Sequence, residues 1–284
     1  MLADRRQLPQ RLSVVVTLTE PRPFRRIAVF GGVYSNAHAL RATLADVAAR
    51  DVDAVFCLGD LGGFGPHPGR IVPLLDAAGV GVIQGNYDLA VGQGHADCGC
   101  GYTDPRDNHF ARLSYGYTLA HTPTEHRRWM AALPGHRRLT LGGRTALLCH
   151  GSPRGISEFL WESTTPDGLI ARLLDRAGAE IVLCTHSGIK WHRRLADGRD
   201  LINVGVIGRP ANDGTTRVWY ALLTAGAGAD LDVEFVPVAY DHETLAREME
   251  AEALPPEFVE TVRTGWWTTC LEVLPGRERA RGRF

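Results

Sequence analysis

The sequence predicts an α/β fold in which two sheets carry helices on their outer faces. Two patterns point to it. From Ile27 onward, short apolar runs alternate with helical stretches in a βαβαβ rhythm, which predicts a parallel sheet with right-handed crossovers. After a polar interruption, strands return at the spacing of a second, mixed sheet. At 284 residues the chain can bury a sizeable core, and a single domain is expected.

Residues 1–24 read as a tail or an extra strand, because "VVVTL" is too short for a signal core or a membrane span. "RIAVF" is the first strand of the domain, which spans 25–240. "AHALRATLADVAARD" is helical, with Leu40, Leu44 and Val47 on one stripe. "AVFCLGD" is a second buried strand, "GRIVPLLDAAG" a helix and "VGVIQGNYD" a third strand. Residues 92–138 are polar, aromatic and mostly helical, and read as an inserted cap. "RRLTLGG", "RTALLCHG", "EIVLCTHSG", "DLINVGVIG" and "RVWYALLTAG" are assigned to the second sheet, and "DLDVEFVPVAYD" is a further strand. Residues 241–284 form a helical extension ending in "PGRERARGRF", read as a solvated basic tail.

A formal net charge of -1 gives no global field toward nucleic acid or an anionic membrane, so neither is an expected partner. Six cysteines are too few for a disulfide scaffold. Several sit in apolar strand-like runs, which suits reduced thiols in a cytoplasmic protein. Self-association is left open.

Polar residues recur at the carboxyl ends of apolar strands. Asp60 follows "VFCLG", Asn86 and Asp88 follow "GVIQG", His150 follows "TALLC", and Cys184 with His186 follows "EIVL". Ligands of α/β sheets bind in the crevice beyond those ends. Singly, each residue has a plain structural reading as a turn, a core histidine or a buried thiol. Four such strand ends in order form a metal-ligand vocabulary of mixed hardness. Dinucleotide binding is set aside, since "GGVYSN" lacks the later glycines of G-x-G-x-x-G, and no G-x-S-x-G marks a serine hydrolase.

The motifs "CLGDLGGFGPHP", "GNYD", "CHGSPR", "THSG" and "NVGVIGRP" stand in the order and spacing of the calcineurin-like metallophosphoesterases. Residues 25–225 resemble that family, in its prokaryotic branch with GNYD, and "DCGCGYTDPRDNHF" looks like that branch's cap. The resemblance implies a two-sheet αββα sandwich with a small helical cap insertion and a metal centre between the sheet edges. Three motifs depart from the family pattern. Gly32 and Tyr34 replace Asp-x-His, Tyr87 replaces the histidine of Gly-Asn-His-Asp, and Cys184 replaces the first histidine of Gly-His-x-His.

By position, one metal would take Asp60, Asn86, His150 and Cys184, while the other keeps only the bridging Asp60 and His186. The implied cofactor is therefore one divalent transition metal. A thiolate ligand favours zinc or iron over manganese; alternatively, His186 completes the site and Cys184 is packing. Arg154 and Arg209 flank the motifs and are expected to bind phosphate, with Asn36 beside them as a further substrate-binding candidate. Tyr87 is the expected proton donor, with Asp88 and Tyr34 as the other catalytic candidates.

The leading reading is a metal-dependent phosphoesterase, either phosphatase or phosphodiesterase, acting on a small phosphorylated molecule. Its rivals are a catalytically silent protein that keeps the fold for binding or scaffolding, and a zinc or iron enzyme of other chemistry. Cys98 and Cys100 are too close for a zinc half-site and belong to cap structure or redox sensitivity. His38, His67 and His192 read as solvated, with His38 the alternative for a missing ligand; "RTGWWTTCLEVLP" is either a partner surface or, as expected, packs Trp266 and Trp267 against the sandwich.

Overall fold

A computed structural model describes residues 15–226, 228 and 230–282. Residues 1–14 and the last two of the basic tail lie outside the described residues. Two sheets stack face to face. The first, five-stranded, holds β2 (Arg26–Phe30), β3 (Ala54–Cys57), β4 (Gly81–Val82), β10 (Val218–Ala225) and β11 (Leu231–Val238), in the order β11-β10-β2-β3-β4. The second, six-stranded, holds β1 (Thr17–Thr19), β5 (His136–Leu141), β6 (Arg144–Leu148), β7 (Ile181–Cys184), β8 (Trp191–Arg194) and β9 (Asp200–Asn203), in the order β1-β5-β6-β7-β9-β8.

As the rhythm predicts, β2, β3 and β4 are parallel, and the second sheet is mixed. One assignment is corrected. The strand in "RVWYALLTAG" belongs to the first sheet, antiparallel to β2, with β11 on its other side. Its two faces explain the placement. Ala221 and Leu223 enter the core between the sheets, while Tyr220 and Leu222 lie under the helices outside the first sheet.

Period-two alternation sorts every central strand in this way. Ile27 and Val29 face the inter-sheet core, where they meet Leu148, Ile181 and Leu183; Ala28 and Phe30 face the outer helices. Those helices are α1 (Ala37–Ala48) and α2 (Ile71–Ala77). On the far side, α6 (Asp167–Ala177) places Ile170, Leu173 and Leu174 against Leu147 and Val182. The layers are αββα. Strands covered on both faces read as unbroken apolar runs, which is why their ends stand out in the sequence.

Residues 86–131 form α3 (Asn86–Gln93), α4 (Pro105–His121) and α5 (Thr124–Ala131) beside the site end of the sandwich. After β11, α7 (His242–Ala251) and α8 (Pro256–Thr264) pack Leu245, Phe258 and Val262 against Phe64 and Phe110. Trp267 is fully buried, as expected, and its indole donates to the Pro210 carbonyl at 2.7 Å. Gly276–Ala280 is a short helix, α9, rather than a free tail: buried Glu278 accepts the Ser163 backbone N–H at 2.9 Å.

Candidate metal centre

The loops leaving β3, β4, β6 and β7 converge at the edges of the two sheets. Glycine makes the approach feasible. Gly59 has φ of 86°, and a Cβ there would lie 2.2 Å from the Gly85 nitrogen; one at Gly85 would lie 2.4 Å from Asp60. Asp60 and His186 both adopt left-handed backbone, φ of 57° and 65°. Such conformations cost about 1–3 kcal/mol and persist where the surroundings over-determine them.

Each side chain is aimed by a partner behind it. His150 Nδ1 lies 2.6 Å from the Leu58 carbonyl, which only accepts, so Nδ1 carries the proton and Nε2 faces inward. His186 Nε2 donates to the Cys100 carbonyl at 3.2 Å, which leaves Nδ1 inward. Asn86 Nδ2 donates to the Cys98 carbonyl at 3.0 Å, so its Oδ1 points in. Asp60 Oδ1 accepts the Tyr87 N–H at 3.0 Å, and Oδ2 faces the histidines.

The four inward atoms meet. From His150 Nε2, Asp60 Oδ2 lies at 3.2 Å, Asn86 Oδ1 at 3.1 Å and His186 Nδ1 at 3.1 Å. All four residues are buried. Four lone-pair atoms so close require a cation between them, either a proton or a metal. The charge response agrees. Burial alone would lower His150, but the Asp60 carboxylate overrides it and holds the imidazole above its usual pKa. Burial alone would raise Asp60, and the His150 charge outweighs it to hold the carboxyl low. His186 is pulled down to about 3 by burial first and by His150 second. Two imidazoles, a carboxylate and an amide oxygen, each fixed from behind, fit a divalent transition metal.

Cys184 is not in this cluster. In β7, Ile181 and Leu183 face the inter-sheet core, so Val182 and Cys184 face α6, in the apolar group with Leu147 and Cys149. Burial pushes the thiol's pKa far up, which suits packing rather than coordination. The softness argument for zinc or iron falls with it.

Asp88 is fully buried and spends both oxygens on backbone. Oδ2 accepts the N–H groups of Gly85 and Asp60, each at 2.8 Å, and Oδ1 that of Leu61 at 3.0 Å. It ties two site loops together and does not line the cavity. Asn36 caps α1, accepting the Ala39 N–H at 2.9 Å, and donates to the Gly208 carbonyl at 3.1 Å. Arg154 turns outward onto Glu158, four residues on. Asn36 and Arg154 are thus engaged within the protein, and neither lines the cavity described next.

A cavity opens from the metal cluster, lined by Tyr34, Tyr87 and Arg209, by Tyr102 and Phe110, and by Thr269 and Cys270. Arg209 is buried, stacked 3.6 Å from the Trp267 ring centroid, and no carboxylate pairs with it among the described residues. Its Nε has no hydrogen-bond partner among the described residues. Tyr34 has its ring 5.8 Å from the Arg209 guanidinium carbon, and its hydroxyl has no partner among the described residues. Tyr87, by contrast, donates its hydroxyl to Ser114 Oγ at 3.1 Å. Burial raises both phenols well above their usual range.

Ser114, Phe258, Thr269 and Cys270 line the cavity without any sequence signal. The chain carries no motif there, and α8 with the turn after it reaches the site only through tertiary packing. Cys98 and Cys100 are joined by a disulfide, while the strand cysteines Cys57, Cys149 and Cys184 are free thiols. His38 pairs with Glu248 at 3.1 Å and His192 with Asp200 at 2.8 Å, and neither joins the cluster. No helix among the described residues is long and apolar enough to cross a membrane.

Residues 26–227 match the model of the calcineurin-like phosphoesterase superfamily domain. An uncharacterized protein of Methanocaldococcus jannaschii is 25% identical over 244 residues, 81% of this chain and 93% of that protein. The crystal structure of a metallophosphoesterase from Sphaerobacter thermophilus superposes with a TM-score of 0.66 at 26% identity, covering 85% of this chain and 99% of that one. A hypothetical protein of Pyrococcus horikoshii has a TM-score of 0.72 at 20% identity, over 86% and 99% of the two chains.

Proposed function

The chain belongs to the calcineurin-like phosphoesterase superfamily, and from that premise we propose that it hydrolyses a small phosphorylated molecule at a mononuclear metal site. One observation carries the reading: lone-pair atoms of Asp60, Asn86 and His186 lie within 3.2 Å of His150 Nε2, while the second metal's positions are held by Gly32 and Tyr34. Asp60, Asn86, His150 and His186 would hold the ion, whose donor set suits zinc, iron or manganese. Such an ion supplies Lewis acidity toward a phosphoryl oxygen.

The chain's own groups do the rest. Arg209 binds the phosphate, because a buried guanidinium with no carboxylate partner among the described residues and a free Nε is a ready anion partner. Tyr34, whose hydroxyl is unengaged, is the donor of a proton to the leaving oxygen; Tyr87 has committed its hydroxyl to Ser114. Phe64, Phe110 and Phe258 exclude water from the cavity. The cytoplasm is the proposed location.

The second reading, a binding module without turnover, is favoured by the loss of the Asp-x-His pair at Gly32 and Tyr34. The test is metal content and turnover of phosphomonoesters and phosphodiesters with zinc, iron(II) or manganese supplied, for the parent and for Asp60→Asn. We expect one ion per chain in the parent. In the variant the ion is lost, and turnover falls by about 10³-fold or more. Metal without turnover selects the binding module; two fully occupied ions refute the mononuclear site.

A further inference from the structure

The loop at Cys98, Gly99 and Cys100 touches two of the four inward-facing residues. The Cys98 carbonyl accepts Asn86 Nδ2 at 3.0 Å, and the Cys100 carbonyl accepts His186 Nε2 at 3.2 Å. Asn86 Nδ2 also lies 3.4 Å from Cys100 Sγ. Asn86 follows a strand of the first sheet and His186 a strand of the second, so one three-residue loop orients donors from both. The Gly99 carbonyl accepts Ser157 Oγ at 2.5 Å, which fastens the loop to the far wall. The disulfide closes this loop into a ring and limits how far the two carbonyls can separate.

We propose that the Cys98–Cys100 disulfide is a redox-sensitive positioning clamp for Asn86 and His186, so that its reduction loosens metal. The inference rests on the metal site proposed above. The step is ordinary exchange with a dithiol. One reductant thiolate attacks a cysteine sulfur and breaks the S–S bond, and its second thiol resolves the mixed disulfide. The reductant leaves as a disulfide, and Cys98 and Cys100 each end protonated as thiols. The ring opens, and the carbonyls behind Asn86 and His186 lose their fixed spacing. Groups that orient metal ligands from behind are typically worth 10–100-fold in affinity. In a reducing compartment a disulfide is transient and regulatory, which fits a clamp better than a permanent staple.

The experiment titrates zinc against a chromophoric chelator, using oxidised protein, protein reduced by a phosphine, and the double variant Cys98→Ser/Cys100→Ser. Alkylation and mass measurement confirm which cysteines are free. Reduction should raise the zinc Kd by roughly 10–100-fold. The double variant should match the reduced protein and ignore the reductant. Equal affinity in all three states overturns the clamp while leaving the metal site standing. Tighter binding on reduction also overturns it and makes Cys100 a ligand. If the oxidised parent binds none of zinc, iron(II) and manganese, the metal site fails and the clamp with it.

Discussion

The two sides of the cavity are built from the same parts, loops leaving strand ends, and they finish in opposite chemistry. On one side the loops after β3, β4, β6 and β7 bring a carboxylate, an amide oxygen and an imidazole nitrogen within 3.2 Å of His150 Nε2, a cluster that calls for a proton or a metal. On the other, the loops after β2 and β9 carry Tyr34 and Arg209, and the guanidinium is itself the cation. Gly32 has no room for a carboxylate. A Cβ there would lie 2.7 Å from the Tyr34 ring, and one at Gly208 would lie 2.4 Å from Tyr34 Cβ. The tyrosine is wedged between two glycines. On the proposed mononuclear reading, Tyr34 fills the position of a second metal, and with Arg209 it would serve a phosphate and its leaving group.

Tyr34→Phe tests that contrast with the largest expected effect. The substitution keeps the wedge between Gly32 and Gly208 and removes only a hydroxyl that has no partner among the described residues. Metal content and thermal midpoint should stay at the parent's values. Turnover of the best ester should fall by about 10²-fold or more, the usual worth of general acid help. An unchanged kcat would reduce the filled side to packing.

Arg209→Met comes next. Charge-assisted contacts are worth about 1.5–3 kcal/mol, so kcat/KM should drop roughly 10–100-fold with metal content unchanged. The thermal midpoint should be at or above the parent's, because an unpaired buried cation is removed. A variant that melts earlier and retains kcat/KM would make Arg209 a structural prop for Trp267 instead.

The metal side was the more legible of the two, and the reason is physical. Strands covered on both faces are apolar throughout, so a polar residue at their end is conspicuous; Asp60, Asn86, His150 and His186 all follow such runs. The choice between Cys184 and His186 lay in strand parity: Leu183 faces the inter-sheet core, which sends Cys184 to the opposite face. Asp88 stood in a motif, yet its carboxylate serves three backbone N–H groups, a role that only the converging loops reveal. Arg154 is answered locally by Glu158. The filled side depends on contacts between distant segments. Nothing in "RTGWWTTCLEVLP" announces that Trp267 will stack on Arg209, or that Cys270 will face the cavity. The αββα architecture was foreseen, apart from the strand at Val218–Ala225, whose sheet is decided by which face of β2 is left to cover.

Tyr87 stands at the border between the two sides, and its substitution should have the smallest effect. Its backbone N–H serves the metal side through Asp60 Oδ1, while its ring faces the cavity. The hydroxyl, however, donates to Ser114 Oγ at 3.1 Å, and that oxygen also accepts the Phe64 N–H at 2.7 Å. A phenol held in that way keeps its proton in a structural hydrogen bond. Tyr87→Phe leaves the ring against Tyr115, 5.9 Å between centroids, and leaves Ser114 its bond to Phe64. One neutral hydrogen bond is worth about 1 kcal/mol, so the thermal midpoint should fall by about 2–4 °C. Turnover should stay within about threefold of the parent, less than 1 kcal/mol of barrier. Thermal melts and steady-state kinetics on Tyr87→Phe beside Tyr34→Phe decide between the phenols. A 10²-fold loss in Tyr87→Phe, with Tyr34→Phe unaffected, would move the proton donor to Tyr87 and across the cavity to the metal side.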